Sequence, residues 1–290
     1  MIKSKTTKIE DLFIAGICVV LILICLLPLL NILARSLSSA DALVKNKVML
    51  LPVGFNIDAY KLVLTDAKYT RSLAWTAFLT VICTVFSMLM TIICAYPLTY
   101  ESLKGKRIIN TLIIFTMYFS AGTIPNYLLY KEMNLLDNPL VLIIPNCLSV
   151  FNMIIMRSFF YSIPISLRES AEIDGAGPIR ILVNIYLPLS TSALATLSLF
   201  YAVGRWNGFS DALMYMINAK EYHPIQLFLY NILQNVTSIE VAIQEGITTP
   251  GLSDTIKSAT VMFATVPILL VYPWIQKYFI VGVTIGAVKE

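Results

Sequence analysis

Charge is what this chain has least of. Only 13% of its 290 residues are Asp, Glu, Lys or Arg, while 58% are hydrophobic; mean hydropathy is +0.78. A soluble domain sits nearer roughly 45–50% apolar with about a quarter charged, so a water-soluble globular fold is excluded. Histidine is nearly missing: His223 is the single one, which rules out a multi-histidine metal cluster, and with His223 outside the apolar runs and no paired carboxylates within them it weighs against a His-dependent triad. The five cysteines, Cys18, Cys25, Cys83, Cys94 and Cys147, all fall inside apolar runs without C-x-x-C spacing. They read as small buried hydrophobes rather than ligands or disulfides. No G-x-x-x-x-G-K-[ST] loop is present, so the chain has no phosphate cradle of its own. "GVTIGAVK" (Gly282–Lys289) spaces its glycines too closely, and Arg180 stands where a dinucleotide fingerprint beginning at Gly175 would need its third glycine.

Long apolar runs take the place of what is missing. A bilayer core needs about 20 apolar residues per helical span. Six candidates occur: Leu12–Ala34, Leu73–Leu98, Ile108–Leu129, Pro139–Met156, Leu187–Val203 and Ala259–Ile275. The short alternating segments of a membrane β-barrel are absent. The expected fold is all-α, a polytopic membrane protein with six transmembrane helices. The fifth run, with Ser190, Thr191, Ser192 and Thr196, is weakly apolar and suits contact with other helices more than lipid. Lys3, Lys5 and Lys8 precede the first run as in a signal peptide. That run exceeds the usual roughly 7–15 residues, however, and no A-x-A site follows, so it is expected to stay as an anchor.

Six spans put both termini on one side. If that side is the cytoplasm, it holds Lys3, Lys5, Lys8, Lys104, Lys106, Arg107, Arg157, Arg168, Arg180, Lys277 and Lys289, eleven of the 21 basic residues. The positive-inside rule counts Lys and Arg in short loops, and the "KGKR" turn, Lys104–Arg107, is its best support here. The outer segments are then about 35–72, a short one around 131–138, and about 206–258. In the last, Pro224 can open a helix whose Ile225, Leu229, Ile232, Leu233 and Val236 recur at helical spacing. That helix either packs at the membrane exit or offers a face to an external partner.

The most hydrophilic insert between two runs is "RESAEIDGAGPIRILVNIYLPLS", Arg168–Ser190. Ser166-Leu-Arg-Glu169 reads as a capping box that starts a helix at Leu167. Asp174-Gly175-Ala176-Gly177 should end it, Pro178 opens a second helix, and Pro188 marks the turn into the fifth run. Ser170 and Ala171 give a low-profile face edged by Glu169, Glu172 and Asp174. Helix–helix connections are usually a few residues, so so long an insert suits a docking helix for a cytoplasmic partner, with an ordinary interfacial helix as the alternative.

The register of this insert resembles the "EAA" loop of binding-protein-dependent ABC importer permeases: E-A-A, three residues, G, nine residues, I-x-L-P. Glu169-Ser170-Ala171, Gly175, Ile185, Leu187 and Pro188 fall in that register, with Ser170 for the central alanine. Ile173–Gly177 ("IDGAG") resembles the carbohydrate, maltose-type branch. Met117–Asn138, Met156–Pro164, Phe200–Met216 and Lys277–Glu290 resemble permeases of the lipoprotein-linked and oligosaccharide or polysaccharide importers.

That resemblance implies one permease domain over 1–290 with a type I ABC importer permease fold and a cytoplasmic coupling helix between helices 4 and 5, within residues 161–188. It implies ATPase coupling through Arg168, Glu169, Ser170, Ala171, Glu172, Asp174, Gly175 and Ala176. The expected partners are a second homologous permease subunit, two copies of a cytoplasmic ABC ATPase and an extracellular solute-binding lipoprotein, all at a bacterial plasma membrane. No nucleic acid is expected. ATP and Mg would sit on the ATPases, with no cofactor and no catalysis in this chain.

Polar groups within spans usually face a bundle interior or a cavity. Tyr118, Ser120, Asn126, Asn146, Asn152, Tyr201, Arg205, Trp206 and Asn207 are therefore candidates for a sugar path. For the asparagines, helix bridging is the alternative; for Trp206, an interfacial aromatic belt. Asp and Glu are absent from all six runs, which weighs against an ion-coupled secondary transporter. A permease for a non-sugar solute stays open.

Overall fold

The computed structural model describes residues 5–234 and 250–287, with side chains over 11–234, 254–271 and at 273. Lys3, Val236 and residues 288–290 lie outside the described residues, as do the side chains of Lys5, Lys8, Lys277 and the stretch from Gly282. All regular structure among the described residues is helical. A backbone in hydrocarbon has no water to bond, so apolar runs satisfy their amides internally as helices.

The chain forms two compact units. One holds the chain up to Thr70 together with Phe228–Val266; the other holds Arg71–Leu227 and the part from Pro267. In the first unit, α1 (Lys5–Ser36) is followed by α2 (Ala40–Val44) and α3 (Asp58–Thr65). None of the apolar stretch of α1 is buried inside the chain. Ala59 and Val63 of α3 pack against Ala259, and Arg35 pairs with Asp254 at 3.5 Å.

Most of α4 (Ala67–Ala95) belongs to the second unit, and it ends in a 3₁₀ turn at Pro97–Thr99. Then come α5 (Lys106–Tyr118), α6 (Thr123–Glu132), α7 (Val150–Ser162), α8 (Ile165–Ile173), α9 (Pro178–Leu189), α10 (Thr191–Asn207) and α11 (Ser210–Tyr215). The helix expected after Pro224 is present as α12 (Ile225–Gln234), and α13 (Pro250–Ala287) closes the described chain, running through Pro267 and Pro273.

Three helices among the described residues are long and apolar enough to cross a membrane: Asp11–Ser36, Ala67–Thr99 and Asp254–Val271. These carry the first, second and sixth runs. The other three runs are not straight helices. α5 and α6 meet at 112°, α7 and α8 at 71°, and α9 and α10 at 83°, so the count reaches six only if each bent pair is one span.

Each break has a local cause. Between α5 and α6, Gly122 takes φ +92° and ψ 175°, a region essentially closed to residues with a Cβ. The fourth run does not begin as an α-helix. Pro139–Leu142 makes a 3₁₀ turn, Pro145 removes a backbone donor, and α7 starts only where Ser149 Oγ accepts the amide of Asn152 at 3.3 Å. In α9 the stretch Leu182–Tyr186 widens into a π turn. Pro188 offers no N–H to the carbonyl of Asn184, and its ring would crowd that carbonyl in a regular helix. The expected capping box does not form: α8 begins at Ile165 with Pro164 as its N-cap and no side-chain cap bond. Pro164 sets the helical start two residues early and leaves Ser166 inside the first turn.

Candidate functional site

Two regions of the second unit concentrate the nominated residues. The first is α8 and the turn after it. Gly175 takes φ +80° with open space where a Cβ would stand, so the turn needs glycine for its backbone and not for room. The amide of Ala176 donates to the Ala171 carbonyl at 2.9 Å, closing the helix. Pro178 then opens α9 at its first position, where a missing N–H costs nothing.

The nominated residues of α8 divide between two faces. Glu169, Ser170, Glu172, Asp174 and Gly175 are exposed, and Ile173 is 87% exposed beside them. Ala171 and Ala176 instead pack against the chain's own core. Ser170 and Ala171 thus do not share one low-profile outer face, as the sequence suggested. Arg168 also turns inward: its side chain is 12% exposed, and its guanidinium makes a cation–π contact with Tyr100, 4.6 Å from the ring centre.

The second region is a cleft of about 1170 Å³ lined by parts of α4, α6, α7, α10, α11 and the irregular stretch before α7. Asn126, Asn146, Asn152, Tyr201 and Arg205 line it. Tyr118, 81% exposed, and Ser120, whose Oγ accepts from the Gly122 amide at 3.4 Å, do not. Trp206 is buried away from the cleft. The side-chain amide of Asn207 donates to the carbonyl of Val203 on its own helix at 3.0 Å.

Tyr201 has a partly structural role. Its hydroxyl accepts the Ser149 amide at 3.1 Å and bonds Thr91 Oγ1 at 2.7 Å, tying the start of α7 to α4 and α10. Arg205 is 8% exposed and paired with Asp211; it also donates to the carbonyls of Leu142 and Gly208, each at 3.3 Å. A charge this buried persists only when paired and hydrogen-bonded. Asp211 went unnoticed in the sequence, as did Tyr130 and Tyr215, which line the cleft with rings edge-to-face at 5.0 Å.

Asp137 fixes Tyr215 from outside the cleft. Its amide donates to the Tyr215 carbonyl at 2.8 Å. Its carboxylate accepts from Asn218 N at 2.7 Å, Asn218 Nδ2 at 2.8 Å and Ala219 N at 3.2 Å. These bonds, the Asn218 side chain's above all, hold the Asp137 carboxyl below its ordinary range. The single histidine, His223, donates from Nε2 to the Met216 carbonyl at 2.7 Å. The cleft as a whole offers amides, hydroxyls and aromatic faces around one neutralised ion pair. That set suits binding a polyhydroxylated solute.

Comparison with known proteins follows the same line. Residues 71–284 match the family model described as "Binding-protein-dependent transport system inner membrane component". The polygalacturonan/rhamnogalacturonan transport system permease protein YtcP of Bacillus subtilis (strain 168) is 40% identical over 97% of this chain and 99% of its own. Protein LplC of the same strain is 40% identical over 100% and 98%. A crystal structure of a bacterial ABC transporter involved in the import of the acidic polysaccharide alginate contains a chain 34% identical to this one. It superposes with a TM-score of 0.87 over 96% of this chain and 99% of that one. With the family model matched over most of its length, this chain belongs to the binding-protein-dependent transport system inner membrane components.

Proposed function

We propose that this chain is one of two membrane subunits of an ATP-driven importer for oligosaccharides or polysaccharide fragments in a bacterial plasma membrane. The α5–α6 pair forms one span, α7 with the irregular stretch before it a second and α10 a third, giving six with α1, α4 and α13, and both termini lie in the cytoplasm. α8 is the cytoplasmic coupling helix. Two ABC ATPases hold ATP and Mg and receive α8; a second permease subunit completes the pathway; an external solute-binding lipoprotein delivers the sugar.

One observation carries this reading. The α5–α6 break is followed directly by Thr123 and Asn126, and the break before α7 contains Leu142, Pro145, Asn146 and Ser149; all six of these residues line the one cleft. Non-helical backbone at membrane depth is tolerated only where protein or a water-filled cavity covers it, and broken helices mark transport sites for that reason. Amides and tyrosines around such a cavity match sugar hydroxyls and ring faces. The names of the relatives make uronate-rich chains the first class to assay. Arg205 is already neutralised by Asp211, so recognition of acidic groups would fall mainly to other parts of the assembly.

The test is ATP hydrolysis by the complex purified with partner permease, ATPase and binding protein. Oligogalacturonide-loaded binding protein is expected to stimulate the wild type. A Gly175→Arg, Glu169→Lys variant is expected to reach the membrane yet neither retain the ATPase nor respond. A variant that behaves as wild type would remove α8 from the coupling role.

A further inference from the structure

α8 meets its neighbours at a 71° bend at one end and at the Gly175 turn at the other, so motion received from a cytoplasmic partner leaves it best through its side contacts. Ala171 and Ala176 supply apolar contacts to the core, and Arg168 supplies a polar one. For mere docking Arg168 is on the wrong face: a side chain 12% exposed gives an outside partner little to touch and must be held against the cost of desolvation.

We propose that Arg168 is a positioning residue that links α8 to the ends of two spans through Tyr100 and Tyr96. Glu172, one turn on, forms an ion pair with Arg168 Nε at 3.5 Å, and the guanidinium carbon lies 4.6 Å from the centre of the Tyr100 ring. The Tyr100 and Tyr96 hydroxyls are 2.6 Å apart. Tyr96 spends its one proton on the Pro178 carbonyl at 2.9 Å, so Tyr100 is the donor between them. Tyr96 itself is wedged edge-on against Phe160 and Tyr186. A displacement of α8 is thereby felt at the 3₁₀ end of α4 and at the first residue of α9 together. This inference rests on α8 being the coupling helix and names how its movement leaves it.

The experiment reads transmission without sugar. Phe151, 54% exposed, lines the cleft; a Phe151→Cys reporter is placed in a chain whose native cysteines are replaced. Its maleimide labelling rate is measured in the four-component complex before and after vanadate trapping of the ATPase. Wild-type Arg168 should give a change of at least about fivefold, the lower end of ordinary coupling between sites. Arg168→Gln should keep the ATPase bound while the change falls below about twofold, because one cation–π contact of comparable size is lost. Arg168→Lys should retain most of it, Tyr100→Leu should match Arg168→Gln, and the double variant should be no worse than either, as expected of residues acting as one unit. A full change in Arg168→Gln, additive losses, no change in the wild type, or loss of the ATPase from the Arg168→Gln complex would each overturn the proposal. The last would return Arg168 to the docking face. Separately, a Gly175→Arg, Glu169→Lys complex that responds as wild type would overturn the coupling reading itself.

Discussion

Arg205 and Asp211 show how little of a residue's role its identity discloses. Arg205 was conspicuous as a cation beside an apolar run; Asp211 was not, because only the turn at Gly208 brings it back to the guanidinium. Breaking such a buried pair from one side leaves a charge without compensation. Asp211→Ala is expected to destabilise the protein by about 3 kcal/mol, whereas Arg205→Met with Asp211→Leu should recover most of that; thermal unfolding in detergent compares them. Asp137 carries a pH dependence of definite sign. Its carboxyl is lowered by Asn218 and Ala219, so its stabilising contribution is complete above the ordinary carboxylate pKa and fades as pH falls through the lower folded value. Hydrogen exchange at the Asn218 amide should be flat between about pH 5 and 8, after correction for the intrinsic rate, and accelerate only in stronger acid. Asp137→Asn, which cannot accept from both Asn218 donors as a carboxylate does, should be fast throughout. A flat wild-type profile into strong acid would show that the carboxylate holds nothing.

Two serines separate what element boundaries reveal in sequence from what they hide. Ser149 caps α7 with its hydroxyl, and Ser149→Ala should cost about 1 kcal/mol. Ser166 has the S-x-x-E spacing of a cap but none of its bonds, since Pro164 starts the helix first; Ser166→Ala should be neutral within about 0.5 kcal/mol. The same unfolding assay, run on both, tests which proline or serine sets each start. Glycine and proline that end or open helices were readable: Gly175, Pro178 and Pro224 each stand where the local chain changes direction. Those inside apolar runs were not. Pro145 accompanies a full interruption of the fourth run, while Pro267 and Pro273 sit within an unbroken α13. The difference lies in surroundings. Around Pro145 the freed backbone lines a polar cleft, and no local pattern announces a cleft. The cleft was half legible for the same reason: Asn126, Asn146, Asn152 and Tyr201 stood out as polar in apolar runs, but Tyr118 and Asn207 stood out equally and face elsewhere.

At the scale of the whole chain, the bent pairs allow two topologies that the helices alone do not separate. If α5 and α6 form one broken span, Gly105 before α5 and Asn134 after α6 lie on opposite sides of the membrane. If the 112° bend makes them a re-entrant loop, both lie on one side. Single cysteines at these two positions, in a chain without its native cysteines, decide the matter with an impermeant maleimide applied to intact cells and to inside-out vesicles. The six-span reading expects Gly105→Cys to label only from the cytoplasm and Asn134→Cys only from outside. It expects Asp174→Cys, beyond α8, to label from the cytoplasm, and Glu221→Cys from outside. The "KGKR" turn precedes α5 and keeps Gly105 on the cytoplasmic side in either topology, so the labelling of Asn134→Cys decides between them. Asn134 takes φ +54° and Asp137 φ +57°, within the left-handed region that Asn and Asp tolerate best, as in a tight surface turn between two crossings. Labelling of Gly105→Cys and Asn134→Cys from the same side would reduce the crossings, take α8 out of reach of any cytoplasmic ATPase, and place the termini on opposite faces unless the α9–α10 pair were re-entrant as well.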